Sequence, residues 1–192
     1  GVDGVLVQLY SASDLTTVLA SDTTSNGGYY LFNNLDAGDY VVVIPSSNFD
    51  YNQVLHGYWS SGITMNPSGL ISELTAPDVD VSASDIDDNG MVQMSGPFDG
   101  GVISLPVTIG PGGVEPRNES DLETGVGQGQ PDEQANMTAD FGFYTITLGN
   151  LVWNDANLLD NGLFDSANEN GIQFVQVELY SADGTRLLGK DT

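Results

Sequence analysis

Gly1-Val-Asp-Gly-Val-Leu-Val-Gln-Leu-Tyr-Ser-Ala12 comes back 170 residues later as Gly171-Ile-Gln-Phe-Val-Gln-Val-Glu-Leu-Tyr-Ser-Ala182. Seven of the twelve positions are identical, too many for chance in so short a window. The closing Asp191-Thr192 echoes Asp22-Thr23. The 192-residue chain therefore reads as one period plus 22 residues of the next. The differences between the copies are informative too. Val5, Val7 and Leu9 persist as Val175, Val177 and Leu179, while Leu6 becomes Gln176 and Gln8 becomes Glu178. Alternate side chains of a strand point to opposite faces, so the retained set marks the buried face and the changing set the outer one.

Outward from this strand the first hundred residues read as short strands separated by turns. Gly28 to Leu35 alternates, with Tyr30 and Phe32 on one face, and Asn26-Gly27-Gly28 before it is turn chemistry. Gly38 to Ile44 is a β-branched strand that Pro45 ends, because proline has no N–H for the ladder. Further strands are expected at 102–109, 139–147 and 149–153. No stretch keeps a helical period with caps. The fold class is all-β, a sandwich. Residues 110–137 are rich in Gly, Pro, Gln and acids and nearly free of large apolar side chains, so a long exposed loop is expected there.

Charge narrows the function. The chain carries 27 Asp+Glu against 3 Lys+Arg, a formal net charge of −24. Phosphate recognition needs clustered cations, and here only Arg117, Arg186 and Lys190 are basic. Nucleic acid is thus excluded as a partner, and an anionic membrane surface is disfavoured for the same reason. The longest apolar run, Tyr40 to Ile44, is far too short to span a bilayer. Cysteine is absent and His56 is the single histidine, so disulfides, thiolate metal sites and His-rich metal sites drop out together. Self-repulsion at this charge needs an offset, either external salt or bound divalent cations. The carboxylates are therefore read first as oxygen ligands for a hard cation.

The run Gly28-x-Tyr30-x-Phe32-x-x-Leu35-x-x-Gly38-x-Tyr40 resembles the signature of B-type domains of serine-aspartate repeat surface proteins, relatives of the collagen-adhesin B-type, prealbumin-like domains. Gly149-Asn-Leu-Val-Trp-Asn-Asp-Ala-Asn157 through Gly171-Ile172 resembles the opening segment of that family. Val107 to Gly112 and Ala139-Asp-Phe-Gly-Phe-Tyr144 resemble the tail of its longer members. The resemblance implies a prealbumin-like, Greek-key β-sandwich repeat, here with a long loop-rich insertion. It also implies the order Trp strand, acidic loop, then the Gly-Val-x-Val-x-Leu-Tyr strand. This chain starts at the last of these and shows another Trp strand at 149. Its expected organisation is a repeat over 1–148 without its own first strand, then the opening strand, acidic loop and second strand of the next repeat over 149–192. Two origins remain open: a window on a tandem array, or subunits that lend a strand to the next.

The acidic loop carries the strongest candidate chemistry. Asp155, Asn157, Asp160, Asn161, Asp165 and Glu169 present oxygen side chains at short intervals around Gly162, which resembles an EF-hand-like calcium loop. About two residues near Leu158-Leu159 and one before Glu169 are extra to that pattern. The competing reading is an Asn/Asp-rich turn whose side chains cap their own backbone. A second cluster, Asp85-x-Asp87-x-Asn89-Gly90, matches the first half of a calcium loop but has Gly96 where the bidentate Glu would stand. Asn118-Glu-Ser120 and Asn136-Met-Thr138 are glycosylation sequons.

For catalysis the sequence offers neither Gly-x-Ser-x-Gly nor a phosphate-binding loop. His56 reads as a packing or surface residue, and Tyr58, Trp59 and Trp153 read as core aromatics. Lys190 is the single lysine, so no Lys–Asn isopeptide crosslink can form within residues 1–170. The chain reads as non-enzymatic: a calcium-stabilised structural repeat of an extracellular, secreted or cell-surface protein, stalk or filament, with neighbouring copies of the repeat as partners. The alternative is an adhesin module whose 50–137 insertion recognises a glycan or protein.

Overall fold

The computed structural model describes residues 1–65, 71–73, 88–111, 134–155 and 162–192. The chain divides into two compact units, Gly1–Ile146 and Thr147–Thr192. Its described elements are short antiparallel strands and one turn of 3-10 helix at Ser46–Phe49.

The first unit is built on a six-stranded antiparallel sheet. β1 (Leu6–Ser11) pairs with β2 (Asp14–Thr23) on one side and with β3 (Gly38–Ile44) on the other. β3 then pairs with both β8 (Val102–Ile103) and β9 (Val107–Ile109), and β8 pairs with β7 (Met91–Val92). The expected single strand over 102–109 is thus two pieces. Leu105-Pro106 interrupts the ladder, since Pro106 lacks an N–H. Ser104 keeps the register across the break: its N–H donates to the Val42 carbonyl at 2.9 Å, and its hydroxyl accepts from the Val42 N–H at 3.0 Å.

Alternation explains the layers. Val5, Val7 and Leu9 from the β1 segment and Tyr40, Val42 and Ile44 from β3 form one buried face, closed by Leu55 and Val102. β4 (Tyr58–Ser60) and β10 (Phe143–Thr145) form a separate antiparallel pair. Tyr58 and Phe143 from that pair pack on the same core, which makes the unit a sandwich. The opposite face of β1 and β3, Tyr10, Val41 and Val43, is covered by Leu15, Phe98 and Ile103, with Tyr10 and Phe98 meeting edge to face at 4.9 Å. A further hairpin joins β5 (Ile63–Met65) to β6 (Ile71–Glu73).

Gly28 to Leu35 does not form the expected strand. Its one ladder contact is the bridge from Tyr29 to Ser25. Asn34 lies at φ +58°, which turns the chain out of the extended region, and the Leu31 N–H is taken by the Asp22 carboxylate at 2.8 Å instead of a neighbouring strand. The side chains still face inward as the alternation requires: Tyr30, Phe32 and Leu35 pack on the core. The Tyr30 hydroxyl donates to the Ala139 carbonyl at 2.6 Å. Burial first, and the charge of Asp140 second, hold that phenol protonated far above its ordinary value. The expected strands at 139–147 and 149–153 shrink to Phe143–Thr145 and to a single bridge from Trp153 to Gly171.

Among its described residues the second unit holds one hairpin, β11 (Val177–Tyr180) with β12 (Leu187–Asp191). Here the repeat is half built. Val7, Leu9 and Tyr10 are 0%, 2% and 7% exposed, whereas their copies Val177, Leu179 and Tyr180 are 51%, 47% and 46% exposed. Among the described residues of its own unit, no β3-type strand covers the apolar pattern of this hairpin.

Candidate metal centre

The acidic loop lies in the second unit, and its two ends are held together by main chain. The Ile172 N–H donates to the Val152 carbonyl at 2.8 Å, and the Asn154 N–H to the Asn170 carbonyl at 3.2 Å. These bonds bring Asp155 and Glu169 to the mouth of the same loop. Gly162, at φ +71°, makes the turn between them and donates its N–H to Asp155 Oδ2 at 2.8 Å. Trp153 and Phe164 meet edge to face at 5.9 Å.

The second half of the loop is a tight turn. The Asn168 side-chain amide donates to Asp165 Oδ2 at 2.6 Å, and the Ala167 N–H to Asp165 Oδ1 at 3.0 Å. These two bonds, the side-chain one foremost, hold the Asp165 carboxyl below its ordinary value of 3.8. Glu169 is 4% exposed, and its Oε2 accepts from the Asp165 N–H at 2.8 Å. A buried glutamate is costly unless its charge is met. Asp155 Oδ1 is also buried, and it has no hydrogen-bond partner. An ionisable oxygen withdrawn from water and left without a donor fits a hard cation, which takes six to eight oxygens.

Of the six loop residues singled out in the sequence, Asp155, Asp165 and Glu169 are placed as described. Asn157, Asp160 and Asn161 lie outside the described residues. Among the described residues no three acids or histidines converge on one point that could hold a metal. The 165–169 half caps its own backbone, and Asp155 keeps one buried oxygen without a hydrogen-bond partner.

In the second cluster Asp85 and Asp87 also lie outside the described residues. Asn89 is fully buried and its amide is engaged structurally: Oδ1 accepts the Asp140 N–H at 2.8 Å while the Asn89 N–H donates to the Asp140 carbonyl at 2.8 Å. Its neighbour Asp88, which the calcium-loop pattern skips, does more. Asp88 Oδ1 accepts from the Gly90 and Gly142 N–H groups at 2.9 and 3.0 Å. Asp88 Oδ2, Asn89 Nδ2 and Ser60 Oγ are buried without partners. The local signal for Asp88 is the Asp-x-Gly turn; the contact with Gly142 is 54 residues away and has no local signature.

Of the sequons, Asn118 lies outside the described residues. Asn136 folds back on its own motif, with Oδ1 accepting from both the N–H and the hydroxyl of Thr138 at 3.0 and 2.8 Å. His56 is exposed and stacks edge-on against Tyr51 at 5.4 Å. Among the described residues no helix is long and apolar enough to cross a membrane.

Comparison with known proteins adds three findings. The SdrD B-like domain family matches residues 1–58. Colossin-A of Dictyostelium discoideum is 29% identical over 199 residues, covering 96% of this chain and 1% of that protein. Serine-aspartate repeat-containing protein I of Staphylococcus saprophyticus is 30% identical over 192 residues, covering 97% of this chain and 7% of that protein. The chain thus spans a small fraction of the length of these relatives. No solved structure matches it.

Proposed function

Because the chain carries an SdrD B-like domain, we propose that it is a structural tandem-repeat module of an extracellular surface protein, stalk or filament, stabilised by calcium. The observation that carries the reading is the restart of the repeat. The last described strand of the first unit ends at Thr145, and the Trp153 bridge to Gly171 already opens the next copy of the Gly1 strand. So short a passage between repeats suits a rod more than a set of loosely tethered heads. The Staphylococcus saprophyticus relative is itself a serine-aspartate repeat-containing protein by name.

Calcium would be held by Asp155, Asp165 and Glu169 together with the remaining oxygens of the 155–169 loop. When bound, the ion supplies positive charge that offsets clustered carboxylates; it carries no reaction. The chain's own part is to preorganise the oxygens. The Val152–Ile172 and Asn154–Asn170 bonds close the loop mouth, and the Asp165 turn keeps one acid ionised. A ligand that binds only the folded form stabilises it by mass action. Calcium at one hundred times its dissociation constant should raise stability by about 2.7 kcal/mol. Thermal unfolding in calcium and in chelator tests this. Asp155→Ala should abolish the calcium-dependent rise in Tm, and Asp85→Ala should leave it in place. Equal Tm values for the parent chain in calcium and in chelator would contradict the proposal.

The adhesin reading keeps one observation of its own. Residues 50–137 exceed what a spacer needs and include Tyr51, which is 78% exposed. Saturable binding to a glycan array that is lost on deleting this excursion would favour it.

A further inference from the structure

The strands beside the two copies of the repeated strand share a feature that a solvent edge does not require. Leu9 pairs with Ala20 and Tyr10 with Val18, so Leu19 is extra in β2. In the second copy Leu179 pairs with Gly189 and Tyr180 with Leu187, so Leu188 is extra in β12. The same irregularity thus falls at the same place and matches Val18-Leu19 to Leu187-Leu188. Both pairs are apolar and out in solvent, 42% and 52% exposed in β2 and 47% and 49% in β12. Their flanks differ. In strand order Thr17 gives way to Arg186 and Ser21 to Lys190, the two Lys/Arg side chains among the described residues. Each strand also ends its sheet. β2 pairs with β1 and β12 with β11, and among the described residues neither has a strand on its other edge. Such an edge offers unpaired N–H and C=O groups to a further strand.

We propose that these two edges join between molecules, the β2 edge of one chain taking the β12 edge of a second copy of the chain. Charge selects the combination. Over 14–22 the first edge carries Asp14 and Asp22 and no base, whereas over 186–191 the second carries Arg186 and Lys190 against Asp191 alone. Two β2 edges together set acid against acid, and two β12 edges set base against base, both unfavourable between neighbouring strands. β2 against β12 is the complementary combination. An antiparallel approach that brings the two apolar pairs together carries Lys190 to the Asp14 end and Arg186 to the Asp22 end. The apolar pairs then leave water together. The irregularities shorten the ladder that can form, so the contact is weak and leans on charge. It uses different patches on the two partners, so it propagates into an open array instead of stopping at a closed dimer. Chains so joined adhere side by side, a contact that covalent repetition along one chain does not supply.

The contact needs no calcium, so the test is run in chelator and its outcome is separate from that of the calcium titration. Sedimentation velocity of the 192-residue chain, up to about 1 mM, should show a mean mass that rises with concentration past that of a dimer. Raising the salt from about 0.05 M to about 0.5 M should lower it, because exposed charges are screened. Arg186→Glu sets acid against Asp22 and should weaken association about tenfold or more. Ser21→Lys sets base against Arg186 and should weaken it likewise. Both positions are exposed. A mixture of the two variants should associate again, since the glutamate of one chain then meets the lysine of the other; loss of fold could not be rescued in this way. Amide exchange of the parent chain needs no variant, and over 17–21 and 187–190 it should slow as concentration rises. A parent chain that stays monomeric throughout overturns the proposal. So does association that the mixture fails to restore, or concentration-dependent protection confined to other segments.

Discussion

Asn48 ties the turn after β3 to the first strand. Its Oδ1 accepts the Leu6 N–H at 2.9 Å, and its Nδ2 donates to the carbonyls of Leu6 and Pro45 at 2.9 and 3.1 Å. It is 5% exposed, so an alanine there strips a buried backbone pair of its partner and leaves nothing in return. Asn48→Ala should cost about 3 kcal/mol, read as a lower urea midpoint at unchanged slope. The sequence shows Asn48 as one more turn residue; its partner lies 42 positions away, which no local pattern reveals. Asp165 and Asp183 work at the same scale in the second unit. The Asn168 amide chiefly holds Asp165 below 3.8, and the Ser181 hydroxyl chiefly holds Asp183 there. A depressed carboxyl adds stability that is present above its unfolded value and lost as pH falls through its folded one. Amide protection across 165–169 and 181–186 should therefore hold at pH 5 and fall away below about pH 4. Asp183→Asn should flatten that acid limb for the 181–186 turn.

At the scale of elements, the repeated strand was legible because its pattern is local. Val5, Val7 and Leu9 alternate with half-buried Leu6 and Gln8, and the structure buries the retained set. The β-branched run Tyr40–Ile44 became the strand that five others join, directly or through one neighbour. Gly28–Leu35 shows the limit of alternation. Its aromatic period gives the correct inward face, but the hydrogen bonds that decide strand against loop come from the Asp22 side chain and not from a neighbouring strand. The acidic loop was legible as chemistry and not as geometry: the residue types indicate oxygen donors, whereas the orphaned Asp155 Oδ1 and the buried Glu169 depend on main-chain closure at Asn154 and Asn170. The two copies of the strand pair should also differ in dynamics. An isolated hairpin is marginal in water, whereas the β1–β2–β3 sheet has a core on both faces. Hydrogen exchange should show β11 and β12 exchanging at least about a hundredfold faster than β1 and β3, a gap of about 3 kcal/mol in local opening. Equal protection would mean that the second unit finds cover of its own.

Across the whole molecule the governing facts are repetition and charge. A chain that begins a second copy of its own opening strand, at a net charge of −24, is suited to a linear array whose carboxylates are offset by bound cations. In such an array each repeat contacts its neighbours and stiffness accumulates through them. We propose that calcium stiffens a structural polymer of these repeats. Negative-stain electron microscopy of the native material, with and without a calcium chelator, tests it most directly. The account predicts regular rods or filaments in calcium that loosen or disperse when the ion is removed. Isolated beads whose appearance is the same in both conditions would contradict it.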